Sequence, residues 1–232
     1  MLLKIKIILD FKMRFIISDV IIFIITLFIF SKSYSNNSNW HYSSGTVLGD
    51  KYSDISQINT KNISDLEVEW IYDGKETLTT NSNQTTPIFT GNSVIISSNN
   101  GYLISLNPLN GVERWKVKLP TPVARRGVTY NSDLSTIFVP TGNGVHAIDP
   151  NNGKIKSEFG KGGVFGSDKS LLSPIIVGNQ DLVVANLTSV KSYSLNNGDI
   201  NWETRIKTGN ISPRIWSGFS YDPLNNIFFV VT

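Results

Sequence analysis

The side chains that could carry out acid–base, nucleophilic or metal chemistry are few in this sequence and far apart. Its two histidines, His41 and His146, are distant from each other in the chain, and no carboxylate pair or nucleophile accompanies either of them. The chain has no cysteine, which excludes a disulfide and a thiolate nucleophile. Asp222 stands in a Tyr-Asp-Pro sequence, where a carboxylate is expected to accept the backbone hydrogen bonds of a turn. The local patterns therefore assign no catalytic or metal-binding residue.

A repeat indicates the elements that would position any site. Asn110-Gly111, Asn152-Gly153 and Asn197-Gly198 recur at intervals of 42 and 45 residues, each behind a short apolar strand pattern. An Asn-Gly pair between two strands favours a type I′ hairpin, in which both central residues have positive φ. One such hairpin every ~40–50 residues is typical of tandem four-stranded sheets. We therefore predict an all-β chain that forms part of a β-propeller, with one four-stranded sheet per blade.

Three copies of the repeat align beyond the turn. They cover residues 86–118, 127–160 and 173–207, and each alternates apolar and polar residues before it breaks at Gly, Asn or Pro. Aromatic residues close successive copies at intervals of 43 to 45 residues, namely Trp70, Trp115, Phe159 and Trp202. Because a blade has an apolar face that it cannot bury alone, we predict that each aromatic lies on an outer strand and docks against the next blade.

The first 35 residues have the pattern of an export signal. A basic start is followed by the apolar run 20–30 and by the small residues Ser33 and Ser35, which suit cleavage after Ser35. An uncleaved membrane anchor is the alternative, although 11 strongly apolar residues are short for a span. This leader carries five basic and two acidic residues and so accounts for the whole net charge of +3. The remainder is neutral, which gives no support for nucleic-acid binding.

The predicted domains are therefore a signal peptide or anchor at 1–35 and a partial propeller at 36–232. The second segment has 197 residues, which is about four and a half blades at ~44 residues each. A closed ring needs a whole number of blades, and an open one leaves strand edges and an apolar face in water. We expect the sequence to be the front part of a longer protein, with about four blades of an expected eight.

Several motifs occur in a fixed order along the chain. They are Trp40-x-Tyr42, KYSDISQIN at 51–59, NISDLEVEW at 62–70, TTPI at 85–88, RGVTY at 126–130, TGNGV at 141–145 and WSGFSYDP at 216–223. In this order they resemble the quinoprotein dehydrogenases, a family of eight-bladed propellers that bind pyrroloquinoline quinone (PQQ). The resemblance runs from about residue 38 to 232 and is greatest to the glucose and alcohol dehydrogenase branch.

The resemblance implies a cofactor role for four residues. Arg126 matches an arginine that contacts the acidic edge of the quinone, and a guanidinium suits a carboxylate because it donates paired hydrogen bonds. Trp216 matches a tryptophan that forms the floor under the cofactor, where an indole stacks on a flat ring system. Gln84 stands where the family usually has glutamate, and Ser173 lies near a position that bears a hydroxyl group.

The sequence also departs from the family pattern. Residues 185–188 form a short link where the alcohol dehydrogenases have a longer loop that supplies a calcium-binding glutamate, and their disulfide of adjacent cysteines is absent. By the resemblance, the calcium-binding asparagine and the aspartate that acts as base lie beyond residue 232. We therefore expect Ca²⁺ to be held mostly by residues outside this chain, and the fragment alone to be inactive.

The function implied by the resemblance is the oxidation of an alcohol or sugar in the periplasm, with electrons passed to a respiratory acceptor, a quinone or a cytochrome. The exported chain would be free or anchored to the inner membrane through its N-terminus. The alternative is a non-enzymatic propeller of the same repeat family, which serves as a scaffold for other envelope proteins. The change to Gln84 and the short 185–188 link favour this alternative, whereas the absence of a lipid-anchoring cysteine speaks against it.

Overall fold

A computed structural model describes residues 40–75, 84–98, 100–169, 172, 174–207, 214–215, 218 and 220–231. The predicted leader at 1–35 and its boundary lie outside these residues. Among the described residues, no helix is both long enough and apolar enough to cross a membrane. The described residues fall in a single compact unit.

The described chain is built from strands, with one turn of 3-10 helix at Ile63–Asp65. Sheet 1 contains β1 (Ile88–Phe89), β2 (Val94–Ser97), β3 (Tyr102–Leu106) and β4 (Glu113–Lys118). Sheet 2 contains β5 (Thr129–Asn131), β6 (Thr136–Thr141), β7 (Gly144–Ile148) and β8 (Val164–Phe165). Sheet 3 contains β9 (Ile175–Val177), β10 (Asp181–Ala185), β11 (Ser189–Ser194) and β12 (Ile200–Arg205), and sheet 4 contains β13 (Ser220–Asp222) and β14 (Ile227–Phe229).

Each sheet is antiparallel, and its strands lie side by side in chain order. Three described sheets have four strands and one has two, which confirms the predicted all-β partial propeller. Successive sheets bury their faces against one another. On β6, Ile137 and Val139 face a cluster shared with sheet 1, and Phe138 between them faces a cluster shared with sheet 3. This alternation follows from the period of two along a strand, and it makes sheets 2 and 3 each a layer between two apolar cores.

Three tryptophans join neighbouring repeats, as predicted, although Trp70 does not lie on a described strand. The Trp115 indole Nε1–H on β4 donates to the carbonyl of Pro150 in the β7–β8 connection of sheet 2 at 2.9 Å. Trp70, which precedes sheet 1, donates in the same way to the Pro108 carbonyl at 3.0 Å. Trp202 lies on β12 with its ring centroid 6.2 Å from that of Phe228 in sheet 4. These contacts confirm the docking of one repeat on the next.

The prediction for Phe159 was wrong in its location. This residue lies in the turns between β7 and β8 and not on a strand, because β8 begins only at Val164. It still docks toward sheet 3, since its ring packs edge-on to Phe138 at 6.1 Å and the adjacent Gly160 N–H donates to the Leu195 carbonyl at 2.9 Å. Sheet 2 therefore uses a loop where sheets 1 and 3 use an outer strand.

The predicted type I′ hairpins were also wrong. In all three turns only the glycine has positive φ, at 68°, 71° or 72°, and the preceding asparagine does not. The glycine N–H donates to a carbonyl four residues earlier, that of Asn107, Asp149 or Ser194, at 2.9 Å in each case. The asparagine Oδ1 accepts the N–H two residues later at 2.8 to 3.1 Å, so the asparagine supports the turn through its side chain and does not itself adopt a left-handed backbone conformation.

One segment near the start of the described chain contacts the first strand of every sheet. We call residues 40–50 the hub segment. The carbonyls of Trp40, His41 and Val47 accept the N–H groups of Phe89 on β1, Tyr130 on β5 and Tyr221 on β13, at 2.9, 2.8 and 3.1 Å. The Tyr42 side chain packs against the cluster of buried residues that includes Ile175 on β9. The first strands therefore line a common hub, which the hub segment occupies.

Candidate functional site at the hub

The four residues predicted to bind the cofactor precede the first strands of successive sheets. Gln84 and Arg126 stand four and three residues before β1 and β5, and Ser173 and Trp216 stand two and four residues before β9 and β13. Because these strands hold the same place in each repeat, Gln84 and Arg126 belong to the same end of the hub. Ser173 and Trp216 lie outside the described residues, and their predicted roles stay predictions.

Arg126 is half-buried and lines a small cavity of about 20 Å³ at the hub. The other walls are the 42–47 stretch of the hub segment, Ile175 of β9 and Gly218. Gly218 is two residues after Trp216 in the chain. The cavity thus brings Arg126 and Gly218 to the same place. Gln84, by contrast, is exposed and does not line this cavity.

A tight turn of the hub segment faces Arg126 across the cavity. We call residues 42–45 the serine turn, because Ser43 and Ser44 form its tip between Tyr42 and Gly45. The turn is closed by two backbone bonds, from Tyr42 N–H to the Gly45 carbonyl at 3.2 Å and from Gly45 N–H to the Tyr42 carbonyl at 3.0 Å. Gly45 has φ +89°, a backbone conformation that residues with a side chain rarely adopt. The Lys51 N–H bonds the Ser44 carbonyl at 2.9 Å and fixes the turn from behind.

Burial favours the neutral forms of two side chains of the hub segment, Tyr42 and His41. Loss of solvent raises the pKa of Tyr42 to about 12, so its hydroxyl group stays protonated in the physiological range. Burial lowers the pKa of His41, while the charge of Asp133 acts in the opposite direction. The His41 ring packs edge-on to Tyr130 with centroids 4.9 Å apart. His41 therefore serves the packing between the hub segment and sheet 2.

The groups around the cavity suit an anion. Arg126 and the serine hydroxyls are hydrogen-bond donors, and none of the described residues that line the cavity is acidic. Thr46, which also lines it, donates its hydroxyl group to Asp50 Oδ1 at 2.9 Å. A volume of about 20 Å³ holds one water-sized group, such as part of a carboxylate. The donor set therefore fits one carboxylate of a quinone such as PQQ, whose ring system would lie outside this cavity.

The described residues do not supply a metal site. Among them, no three His, Cys, Asp or Glu side chains lie close enough together to hold a metal ion. The 185–188 link is a tight turn, in which Asn186 Oδ1 accepts the N–H groups of Thr188 and Ser189 at 2.9 and 2.8 Å. The described part of this chain therefore shows no cluster of three or more acidic side chains that could hold Ca²⁺.

Asp222 has the structural role that its sequence predicts. Its Oδ1 accepts the N–H groups of Leu224 and Asn225 at 2.9 and 3.3 Å, and its Oδ2 accepts the Asn225 side-chain amide at 2.7 Å. These hydrogen bonds, first of all the one from the Asn225 side chain, lower the pKa of the Asp222 carboxyl group. The carboxylate caps the β13–β14 turn and is not available as a base.

The sequence reading missed an ionic cluster between sheets 2 and 3. Lys191 on β11 is mostly buried and bonds Asp168, and its Nζ is 3.8 Å from Glu203 Oε2 on β12. The hydrogen bond with Asp168 is the main cause that raises the pKa of Lys191. A cavity of about 590 Å³ opens beside the cluster, and its rim carries a second ion pair, Lys161 with Asp199, at 3.3 Å. Since each charge has a partner, the cluster joins the two sheets and shows no sign of a ligand.

Comparison with known proteins adds sequence evidence. A family model described as "PQQ: Glucose/ethanol/alcohol dehydrogenase, beta-propeller domain" matches residues 40–200. Quinoprotein glucose dehydrogenase A of Acinetobacter calcoaceticus is 26% identical and aligns with 78% of this chain and 29% of that protein. Quinoprotein glucose dehydrogenase of Escherichia coli (strain K12) is 22% identical, over 82% of this chain and 30% of that protein. The chain thus spans about three tenths of the length of these relatives.

Two solved structures share the fold. A europium-containing methanol dehydrogenase superposes with a TM-score of 0.64 at 18% identity, covering 84% of this chain and 42% of that one. The quinohemoprotein alcohol dehydrogenase of Comamonas testosteroni superposes with a TM-score of 0.65 at 16% identity, covering 86% of this chain and 36% of that one. At these identities the similarity concerns the arrangement of the sheets.

Proposed function

The chain belongs to the PQQ family of glucose, ethanol and alcohol dehydrogenase β-propeller domains, and from this we propose that it is the N-terminal part of a quinone-dependent dehydrogenase. The enzyme oxidises an alcohol or a sugar and passes the electrons to a respiratory quinone or cytochrome. The family description names glucose, ethanol and alcohol dehydrogenases, and the sequence relatives are glucose dehydrogenases, which supports this substrate class.

The observation that carries the proposal is the cavity between Arg126 and the serine turn. The cavity lies at the hub and is lined by hydrogen-bond donors, and none of its described lining residues is acidic. The family is named after PQQ, a quinone that carries carboxylates. A half-buried guanidinium is a strong partner for a carboxylate, because the pair forms two parallel charge-assisted hydrogen bonds. Gly218, two residues after Trp216 in the chain, lines the same cavity, and Trp216 is proposed to stack on the cofactor ring.

The residues of this chain would bind and orient the cofactor. Arg126 fixes one carboxylate, and Trp216 supports the ring plane. Tyr42 stays neutral beside the site because its pKa is raised to about 12, so it adds no negative charge next to the bound anion. When bound, the quinone supplies the acceptor for a hydride that leaves the carbinol carbon of the substrate.

The remaining parts of the proposal rest on the sequence. The leader at 1–35 supports export to the periplasm, as a cleaved signal or as an anchor in the inner membrane. Ca²⁺ would be held mainly by residues outside this chain, which would also provide the catalytic base. We therefore expect the 232-residue chain to bind the cofactor without turning over substrate.

The proposal is tested by binding and then by activity. The chain is titrated with PQQ, and binding is followed by quenching of tryptophan fluorescence and by equilibrium dialysis. The complete enzyme, reconstituted with PQQ and Ca²⁺, is then assayed with a panel of alcohols and aldoses and an artificial electron acceptor. We expect saturable binding and reduction of the acceptor. Absence of both would exclude the dehydrogenase and favour the scaffold protein.

A further inference from the structure

We infer that the serine turn is part of the cofactor site, and that the Ser44 hydroxyl group donates to the same carboxylate that Arg126 binds. This inference rests on the proposed function. It assigns to the hub segment a role in ligand recognition, in addition to its contacts with the four sheets.

The first argument is position. The serine turn and Arg126 line the same cavity, although more than 80 residues separate them in the chain. The carbonyls of Trp40 and His41 anchor the segment before the turn to β1 and β5, and the Val47 carbonyl anchors the segment after it to β13. The turn is thus attached on both sides to strands that line the hub, so its tip is held in place against Arg126.

The second argument is rigidity. The two backbone bonds between Tyr42 and Gly45, together with the bond from Lys51 to the Ser44 carbonyl, leave the turn little freedom. A Cβ added at Gly45 would lie 3.5 Å from the Trp40 ring and 3.5 Å from Asp50 Oδ1, which are ordinary contact distances. A donor that is held in place before the ligand arrives loses less conformational entropy on binding.

The third argument is the chemistry of the side chains. Thr46 donates its hydroxyl group to Asp50, whereas Ser43 and Ser44 line the same cavity as Arg126. A carboxylate has two oxygens with about four acceptor positions, more than one guanidinium fills. A serine hydroxyl group beside the arginine supplies the next donor. The cavity of about 20 Å³ matches a group of this size.

The test uses the complete chain and four variants with PQQ as the probe. Ser44→Ala removes the hydroxyl group, Ser44→Thr keeps it, and Ser44→Cys replaces it with a weak donor of similar size. Ser56→Ala is the control, because Ser56 is an exposed serine just beyond the hub segment. Affinity is measured by equilibrium dialysis, and melting temperature and circular dichroism report whether each variant keeps the fold.

We expect Ser44→Ala and Ser44→Cys to raise the Kd about tenfold, the effect of one lost hydrogen bond to a charged group. Ser44→Thr and Ser56→Ala should bind as the wild type does. The inference is overturned if the wild type binds PQQ and Ser44→Ala and Ser44→Cys bind equally well. If Ser44→Ala loses its fold, the affinities of Ser44→Cys and Ser44→Thr are compared instead, and equal affinities overturn the inference. Failure of the wild type to bind would instead overturn the proposed function, and this inference with it.

Discussion

The indole ring of Trp115 lies directly against Gly153, at the tip of the β7–β8 connection in the next sheet. A Cβ placed on Gly153 would be 2.8 Å from the Trp115 ring, closer than real Cβ contacts allow. Trp70 and Gly111 are related in the same way, because a Cβ placed on Gly111 would be 2.5 Å from the Trp70 ring. In both pairs the indole N–H bonds the carbonyl of the proline three residues before the glycine. The glycine therefore serves two needs, a positive φ and room for the tryptophan of the preceding repeat.

The first prediction separates these two needs. Gly153→Ala should destabilise the fold by about 2–4 kcal/mol, because it adds a clash with Trp115 to the cost of a left-handed alanine. Gly162→Ala is the matched control, since Gly162 has φ +65° and open space where its Cβ would stand. It should cost only the ~1 kcal/mol of backbone strain. Both values are obtained from urea denaturation, and equal losses would mean that Trp115 does not press on Gly153.

The second prediction concerns a hydrogen bond between sheets 2 and 3. The buried Thr129 hydroxyl group donates to the Pro174 carbonyl at 2.6 Å. Thr129→Val keeps the shape but leaves that carbonyl without its donor, which should cost about 1–3 kcal/mol. Thr129→Ser keeps the hydroxyl group and should cost less than Thr129→Val. The measurement is the free energy of unfolding in urea, and a valine variant as stable as the wild type would contradict the role of this bond.

The third prediction is a pH dependence of stability. His146 on β7 is buried, its Nε2 is 3.2 Å from Asn143 Oδ1, its Nδ1 has no partner among the described residues, and burial lowers its pKa from 6.5. The unfolded chain therefore takes up its proton first as the pH falls. Stability should be complete above about pH 6.5 and should decrease from there toward the folded-state pKa.

His146→Leu should make the stability less dependent on pH between about 7.5 and 5. Leucine suits the site, because Ile104 stands at the matching place in sheet 1, seven residues before the turn glycine. Some of the slope should remain, since burial also lowers the pKa of His41. Thermal melting of both proteins across this pH range is the measurement. A slope that does not change in the variant would show that His146 is not the group that titrates.

The repeat could be predicted from the sequence because every sheet requires the same few sequence features at the same spacing. Each needs strands with two apolar faces, a glycine in the connection between its last two strands, and an aromatic residue that covers the next sheet. The turn type could not be predicted. Asn-Gly fits a two-residue turn and the longer turn equally well, and a β-bulge at Ser105 and Leu106 accompanies the longer loop at Gly111. The side-chain oxygen of Asn110 accepts the Val112 N–H, so this asparagine contributes to the turn without a positive φ of its own.

The hub segment had no periodic signal by which it could be recognised. Its backbone carbonyls contact three strands that are distant from one another in sequence, and any residue type can provide a carbonyl. Ser43 and Ser44 followed by Gly45 predict only a local turn. The pairing of Lys191 with Asp168 was hidden for a similar reason, since it joins β11 to the connection between β8 and β9, 23 residues earlier in the chain. Such long-range relationships become visible only when the sheets are stacked.

The central claim is that Arg126 binds the acidic quinone at the hub. The most direct measurement is the affinity for PQQ of Arg126→Gln and of Arg125→Gln, a neighbour of the same charge that is exposed and does not line the cavity. We predict that Arg126→Gln weakens binding at least about tenfold, whereas Arg125→Gln binds as the wild type does. Equal affinities of the two variants would contradict the claim.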